Sequence, residues 1–327
     1  MPVRAESPLS ARSTEPGWQQ HAKTFETAFT TFEREKRSRI RKWSSEHLQQ
    51  PASVVHYMFS GPDFLHADAF FPAASTYVLS GLEPVGELPD PASLSAPQLA
   101  RALGGLKSSL RNVLALSYFI TANMGHDLAA TRLSGTLPVI YVFLARTGHT
   151  ITDVQRVMLD DAGEIVPDTS TARRPNRGAK ISFRDGAGKE KTLFYFSTNL
   201  ANDGFKEGPF ARFSAKLGKG DSFIKSASYL LHGGGFSEAR KFLLGHSKTI
   251  VQDDTGIPLR ILEAEKWEVR AFGKYTKPIP DFSEMYQRQM KVLFDRQSTP
   301  IDFGIGYRSR RNQSGLIVAT KMEQASR

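Results

Sequence analysis

The chain of 327 residues has no cysteine. This excludes disulfides, thiolate metal sites and cysteine nucleophiles, and leaves the redox compartment open. Long apolar runs are also missing. The longest, Leu137 to Ala145 (LPVIYVFLA), is far short of the about 20 residues that span a bilayer. The opening MPVRAESPLSARSTEPG lacks the apolar core of a signal peptide. The expectation is a soluble cytoplasmic protein, with a periplasmic or secreted home as the alternative if a signal peptide has been removed. Several catalytic signatures are absent as well: G-x-G-x-x-G, the G-x-S-x-G nucleophile elbow, H-E-x-x-H, and a P-loop Lys-Ser/Thr after Gly233-Gly234-Gly235. There is no internal repeat.

What is present is ordinary globular composition: 40% hydrophobic residues, 22 Phe and 23% charged residues. The net charge of +10, from 43 Lys and Arg against 33 Asp and Glu, is unevenly spread. It gathers at Arg34, Lys36, Arg37, Arg39, Arg41 and Lys42, then at Arg173, Arg174, Arg177 and Lys180, and finally at Arg308, Arg310 and Arg311. No RNA-binding aromatic motif, zinc finger or leucine-zipper heptad accompanies these clusters, so they read as solvated faces and loops and nucleic acid is not the expected partner.

Residues 1–16, rich in Ser, Pro and charge, read as a disordered arm, with a single α/β domain over 17–327. In the segment 17–50, Trp18, Phe25, Phe29, Phe32, Ile40 and Trp43 recur at helical spacing and predict a long amphipathic helix. Pro51 ends it. A strand from Val54 to Phe59, a Gly-Pro-Asp turn, a short helix from Pro62 to Phe71 and a second strand from Thr76 to Leu79 follow. A helix is expected from Ala96 to about Ala122, and Leu137 to Arg146 reads as a helix closed by Gly148 or as a strand. Within the β-hairpin region 150–200, strands are expected at Val154–Leu159, Lys180–Phe183 and Thr192–Ser197, the last two joined by Asp185-Gly186-Ala187-Gly188. Thr169 to Gly178 reads as an exposed loop. Helices are expected at Ser222–His232, Ser237–His246 and Phe282–Asp295, and strands at Thr249–Gln252, Trp267–Phe272 and Leu316–Thr320. The class is therefore α/β: a mixed sheet with helices on both faces and an antiparallel hairpin insertion in the middle.

In such sheets ligands lie beyond the carboxyl ends of the strands. Ser60-Gly61-Pro62-Asp63 leads from a strand into a helix, so its backbone N–H groups are expected to face a polar or anionic ligand. Glu83 follows Ser60 by 23 residues, at the end of the next strand, near the distance at which an acid meets ribose hydroxyls. This layout resembles the opening unit of a Rossmann-like domain. The resemblance implies S-adenosylmethionine or a nucleotide as cofactor, held by Ser60, Gly61 and Glu83. Read without a ligand, Ser60-x-x-Asp63 is nearly a capping box, and Gly81 with Pro84 ends a strand.

Asp63 and His66 share a helix face and suit an acid/base pair or two metal ligands. A third ligand would have to come from Asp253, Asp254, Glu83 or His126 with Asp127. No complete metal set is expected. Asp253 and Asp254 follow a short apolar strand, where catalytic acids are commonly kept, or form a solvated turn. Asp302 to Arg308 reads as a pocket wall or a twisted edge strand with glycine bulges. A triad of Ser60 with His56 or His66 is a further option.

The expected function is a small-molecule-binding transferase with Asp253 or Asp254 facing substrate. One alternative is a hydrolase using Asp63 and His66; another is a non-catalytic scaffold whose basic helix, with Arg37, Arg39 and Arg41, meets a partner.

Overall fold

The computed structural model describes residues 10–116, 133–169 and 175–322. His126, Asp127, Arg173, Arg174 and the end of the helix expected to reach Ala122 lie outside them. Residues 1–9 of the expected disordered arm also fall outside, and its later part, Ser10–Thr14, forms a 3-10 turn.

Among the described residues, ten strands make one continuous sheet. They are β1 (Val54–Tyr57), β2 (Thr76–Gly81), β3 (Thr150–Leu159), β4 (Ile165–Pro167), β5 (Arg177–Arg184), β6 (Glu190–Ser197), β7 (Gly220–Ile224), β8 (Ser247–Gln252), β9 (Trp267–Gly273) and β10 (Gly315–Lys321). Their order across the sheet is β4-β3-β5-β6-β2-β1-β7-β8-β10-β9. β6, β2, β1, β7 and β8 run parallel, and β10 runs against both β8 and β9. β3, β4 and β5 extend the β6 edge in antiparallel fashion. The order in which strands are added reverses beside β1. The chain steps outward from β1 to β2 and β6, then returns to place β7 on the other side of β1.

The pleat sends alternate residues to two cores. Val55, Tyr57, Tyr77, Leu79, Phe223 and Val251 face one of them. It is covered by α1 (Pro16–Phe32), α2 (Ser38–His47), α3 (Phe64–Phe70) and α5 (Leu137–Arg146). α4 (Ala96–Leu116) packs mainly against α1. Val54, Met58, Val78, Ile224 and Ile250 face the second core. There the cover is α6 (Asn202–Phe205), α7 (Pro209–Lys216), α8 (Ser237–His246), α9 (Leu259–Ala264) and α10 (Arg288–Gln297).

The long N-terminal helix forms as its spacing predicts, with one irregularity: Glu33–Arg37 is a π-helical turn between α1 and α2. Its aromatic stripe is buried. Phe25, Phe29 and Phe32 lie in the core, and Trp43 stands edge-on to Phe70, Phe272 and Phe303. α5 is a helix rather than a strand, and Gly148 just beyond its end takes φ +86°, the left-handed conformation of a helix stop. The hairpin between β5 and β6 turns through Asp185, whose carboxylate accepts from the N–H of Ala187 and Lys189.

Four local expectations are corrected. Ser222–His232 is not a helix: Gly220–Ile224 is a central strand followed by left-handed turns and a 3-10 turn at Leu230–His232. The polar Asp221 and Ser222 hide this strand, and both find partners from afar, one Asp221 oxygen accepting from the N–H of Ala52 and Ser222 Oγ meeting the Ser247 hydroxyl. The expected helix at Phe282–Asp295 begins only at Arg288, because Phe282 and Tyr286 leave helical geometry. Asp302–Arg308 is a loop with a single bridge between Ile305 and Arg308, since Gly304 and Gly306 are pressed against Ser309 and Asp253. Arg177 and Gly178, expected in a loop, open β5. Among the described residues, no helix is long and apolar enough to cross a membrane.

Candidate functional site

The carboxyl ends of the parallel strands carry a band of polar side chains that continues from β1 across β7 to β8. Its centre is Asp63, the N-cap of α3, which is only 1% exposed. One oxygen accepts from the backbone N–H of His66 at 3.2 Å and lies 2.9 Å from His66 Nδ1; the other accepts from Tyr57 Oη at 2.9 Å and pairs with Lys225 Nζ at 2.9 Å. Burial alone would raise the Asp63 carboxyl, but its cationic and donor neighbours hold it well below the usual carboxylate range. Burial pushes His66 down to about 4, with the Lys225 charge acting in the same direction and Asp63 opposing. At neutral pH His66 is therefore uncharged and donates through Nδ1–H, and Lys225 supplies the charge that keeps Asp63 ionised.

Lys225, just past β7, carries the band to β8. Asp253 follows β8 directly and accepts from Ser226 N at 2.9 Å, Thr255 N at 3.0 Å and Thr255 Oγ1 at 2.5 Å. Asp254 beside it is partly exposed and accepts from Tyr229 Oη at 2.5 Å. Both carboxyls are raised by burial. The charge of Asp253 adds to the effect on Asp254, which reaches about 7. Asp254 thus combines solvent access with a titration near neutrality, as a general acid or base requires.

The segments that follow β1 and β7 both carry left-handed non-glycine residues. Phe59 has φ +63° after β1, and Ser226, Ser228 and Tyr229 have φ +52°, +49° and +56° after β7. Non-glycine residues in this region cost of order 1–3 kcal/mol each and concentrate at functional sites. Tyr307 closes the β7 loop, its hydroxyl 2.9 Å from Ser228 Oγ and donating to Ser226 O at 3.2 Å. Gly306, at φ +68°, lets that loop touch Asp253: a Cβ there would stand 2.2 Å from Asp253 Oδ2. Gly306→Ala is expected to lower stability by roughly 2 kcal/mol or more, seen as a shift of the urea midpoint without a change in slope.

On the other side of β1, Glu83 ends the segment after β2. Its carboxyl lies over two glycines, where Cβ atoms would meet it at 3.5 Å (Gly61) and 2.1 Å (Gly81). Tyr195 Oη donates to Glu83 O at 2.9 Å and approaches its carboxylate at 3.4 Å, and burial raises the Glu83 carboxyl. A groove of about 370 Å³, within the size range of small-molecule sites, opens between the ends of β2 and β6, lined by Leu82, Pro84, Glu87, Arg177 and Asn199 among others.

The sequence-derived residues therefore fall into related places. Asp63, His66, Asp253 and Asp254 share the β1–β7–β8 band through Lys225, while Ser60, Gly61 and Glu83 sit together on its β2 side. One expectation fails in detail. The N–H groups of Ser60 and Gly61, expected to face a ligand, both donate to Ser80 O, at 3.0 and 3.1 Å, because this turn is stitched to β2. Ser60 Oγ likewise bonds Gly61 O and Ser80 O rather than any histidine, and His56 packs in the opposite core against Phe242. Asp68 turns away from Asp63 to pair with Arg37 at 2.9 Å. Among the described residues, no three His, Asp or Glu side chains group to hold a metal. Lys225 and Tyr229 are not singled out by the sequence, whereas Tyr307 lies in the segment Asp302–Arg308 that was expected as a pocket wall or edge strand. The one signal that could have found Lys225 is its place just beyond an unrecognised strand.

Comparison with protein-family models, curated proteins and solved structures gives no match, so the site is read from its own geometry.

Proposed function

We propose that the chain is a small-molecule transferase whose cofactor, S-adenosylmethionine or a nucleotide, lies across the carboxyl ends of β1 and β2 with its ribose toward Glu83, while Asp254 serves the reacting group. The observation that carries this reading is the position of Glu83: an acid after β2, against the β1 turn, beside the point where strand order reverses. Strand order supports it. Numbered along the chain without the β3–β5 insertion, the sheet reads 3-2-1-4-5-7-6 with the seventh strand reversed. By fold-level analogy that is a doubly wound order, and the order of α/β methyltransferases. The groove beside Glu83 suits binding, and the near-neutral Asp254, at the end of β8 and outside that groove, suits proton transfer.

The hydrolase reading has less support, because the Asp63–His66 pair is buried on all sides and already occupied by Tyr57 and Lys225. The scaffold reading keeps a smaller surface: Arg37 is buried and paired and Arg39 is tied to Asp302, while Arg41 is exposed.

Thermal denaturation with S-adenosylmethionine, ATP, NAD and Mg²⁺ as separate additions tests the proposal. One cofactor class at about 100 times its Kd is expected to stabilise by roughly 2.7 kcal/mol. Glu83→Gln should weaken that ligand about tenfold or more, the value of a hydrogen bond to a charged group. Absence of a shift with every cofactor would sink the reading.

A further inference from the structure

The π-helical turn Glu33–Arg37 holds the most unusual charged group in the molecule. Lys36 extends from it into the protein, and its Nζ is buried with no hydrogen-bond partner. The carboxylates around it are already engaged. Glu35 pairs outward with Arg34 at 2.9 Å, and Glu33 and Asp68 both hold Arg37, at 2.7 and 2.9 Å. Asp63 already has Tyr57, Lys225 and two nitrogens of His66 around its two oxygens. The turn is fixed from both sides. Phe32 stands edge-on to His66 with ring centres 5.5 Å apart, and Arg39 donates to Asp302 O at 2.8 Å. Lys36 is thereby held over the His66–Lys225 end of the band, close enough that burial and the Lys225 charge lower its ammonium to about 8. The Glu35 charge favours the Lys36 ammonium, but that carboxylate is exposed and bonded to Arg34, and a buried ammonium that makes no hydrogen bond is expensive.

We infer that Lys36 Nζ receives an anionic group of the ligand, a carboxylate or a phosphate, beside His66 and Lys225 at the carboxyl ends of β1 and β7. The identity of that ligand rests on the cofactor reading above; the need for an anion rests on Lys36 alone. S-adenosylmethionine would present its amino-acid carboxylate and a nucleotide its phosphates. The π turn has a mechanical part in this: one extra residue in the turn rotates Lys36 inward while its neighbour Arg37 anchors to Asp68.

The test compares wild type with Lys36→Met and Lys36→Arg. In ligand-free protein, Lys36→Met is expected to raise the melting temperature by about 2–4 °C, because it removes an unpaired buried charge. Inorganic pyrophosphate should raise the melting temperature of wild type and of Lys36→Arg, and leave Lys36→Met unmoved. In binding titrations, the preference of wild type for S-adenosylmethionine over methylthioadenosine, or for ATP over adenosine, is expected to be tenfold or more. It should vanish in Lys36→Met while the uncharged ligands bind as before; the pair that shows it identifies the anion's source. If no adenosine compound binds wild type, the cofactor reading fails, and the anion response decides this inference by itself. Lower stability of ligand-free Lys36→Met, a pyrophosphate response that survives the substitution, or no response in wild type would each overturn it.

Discussion

Asp63→Ala is expected to destabilise the protein by about 3–5 kcal/mol, the cost of removing one partner of a buried ion pair. The reason lies in what the carboxylate holds together. Lys225, 3% exposed, would be left as a buried ammonium; Tyr57 Oη would lose its acceptor; and α3 would lose its N-cap. Against a total stability of typically about 5–15 kcal/mol this is a large fraction. Asp63→Asn separates the parts: asparagine is as good an N-cap and nearly the same size, but carries no charge. Most of the loss should therefore remain in Asp63→Asn, and Lys225→Met added to it should restore part of it. Urea denaturation of the two single variants and the double variant reads all three terms. An Asp63→Asn protein as stable as wild type would show that charge pairing does not organise the band.

Asp254→Asn is expected to do the opposite, leaving the fold intact and lowering transfer activity by about 10²–10⁴-fold, the usual range for a lost general acid or base. Asparagine keeps the acceptor for Tyr229 Oη, so packing changes little. The pH dependence follows from the raised carboxyl. Its folded pKa of about 7 lies above the unfolded value near 4, so the native state binds more protons between those limits. The Asp254 contribution to stability should fall as pH rises from about 4 to 7 and then level off, while buried histidines such as His66, lowered to about 4, contribute in the opposite direction and are common to wild type and variant. Asp254→Asn should be the more stable protein above pH 7 and lose that advantage toward pH 4. Because Asp253 lies beside it, the measured transition belongs to the pair. Parallel melting curves of wild type and variant at pH 4 to 8 check this, and a constant difference across the range would contradict it.

Much of the architecture is legible in local pattern. The 3.6-residue spacing of Phe25, Phe29 and Phe32 marks a helix because one face must be buried, and Asp185-Gly186-Ala187-Gly188 marks a hairpin because its turn chemistry is local. The strand, turn and helix around Ser60–Asp63 were readable for the same reason. What escaped depends on partners distant in the chain. β7 is polar at Asp221 and Ser222, whose partners lie 169 and 25 residues away. The left-handed residues Ser226, Ser228 and Tyr229 carry no glycine to announce them, and their conformation is held by Asp253 and Tyr307. The ligand-facing N–H groups expected at Ser60 and Gly61 were misjudged because Ser80 O, across the neighbouring strand, takes them both. The site was thus half visible: its acids stand at strand ends, where pattern puts them, while the lysine that joins them follows a strand that pattern conceals.

The central claim is that one crevice, between the ends of β1, β2 and β7, takes a ribose-bearing cofactor. Hydrogen–deuterium exchange with and without saturating S-adenosylmethionine, and in a parallel arm ATP, tests it most directly. One ligand is expected to slow exchange at 58–63, 82–87 and 225–229 together, with little change in the distal β5–β6 hairpin at 183–191. Protection confined to other segments, or none with either ligand, would contradict the account.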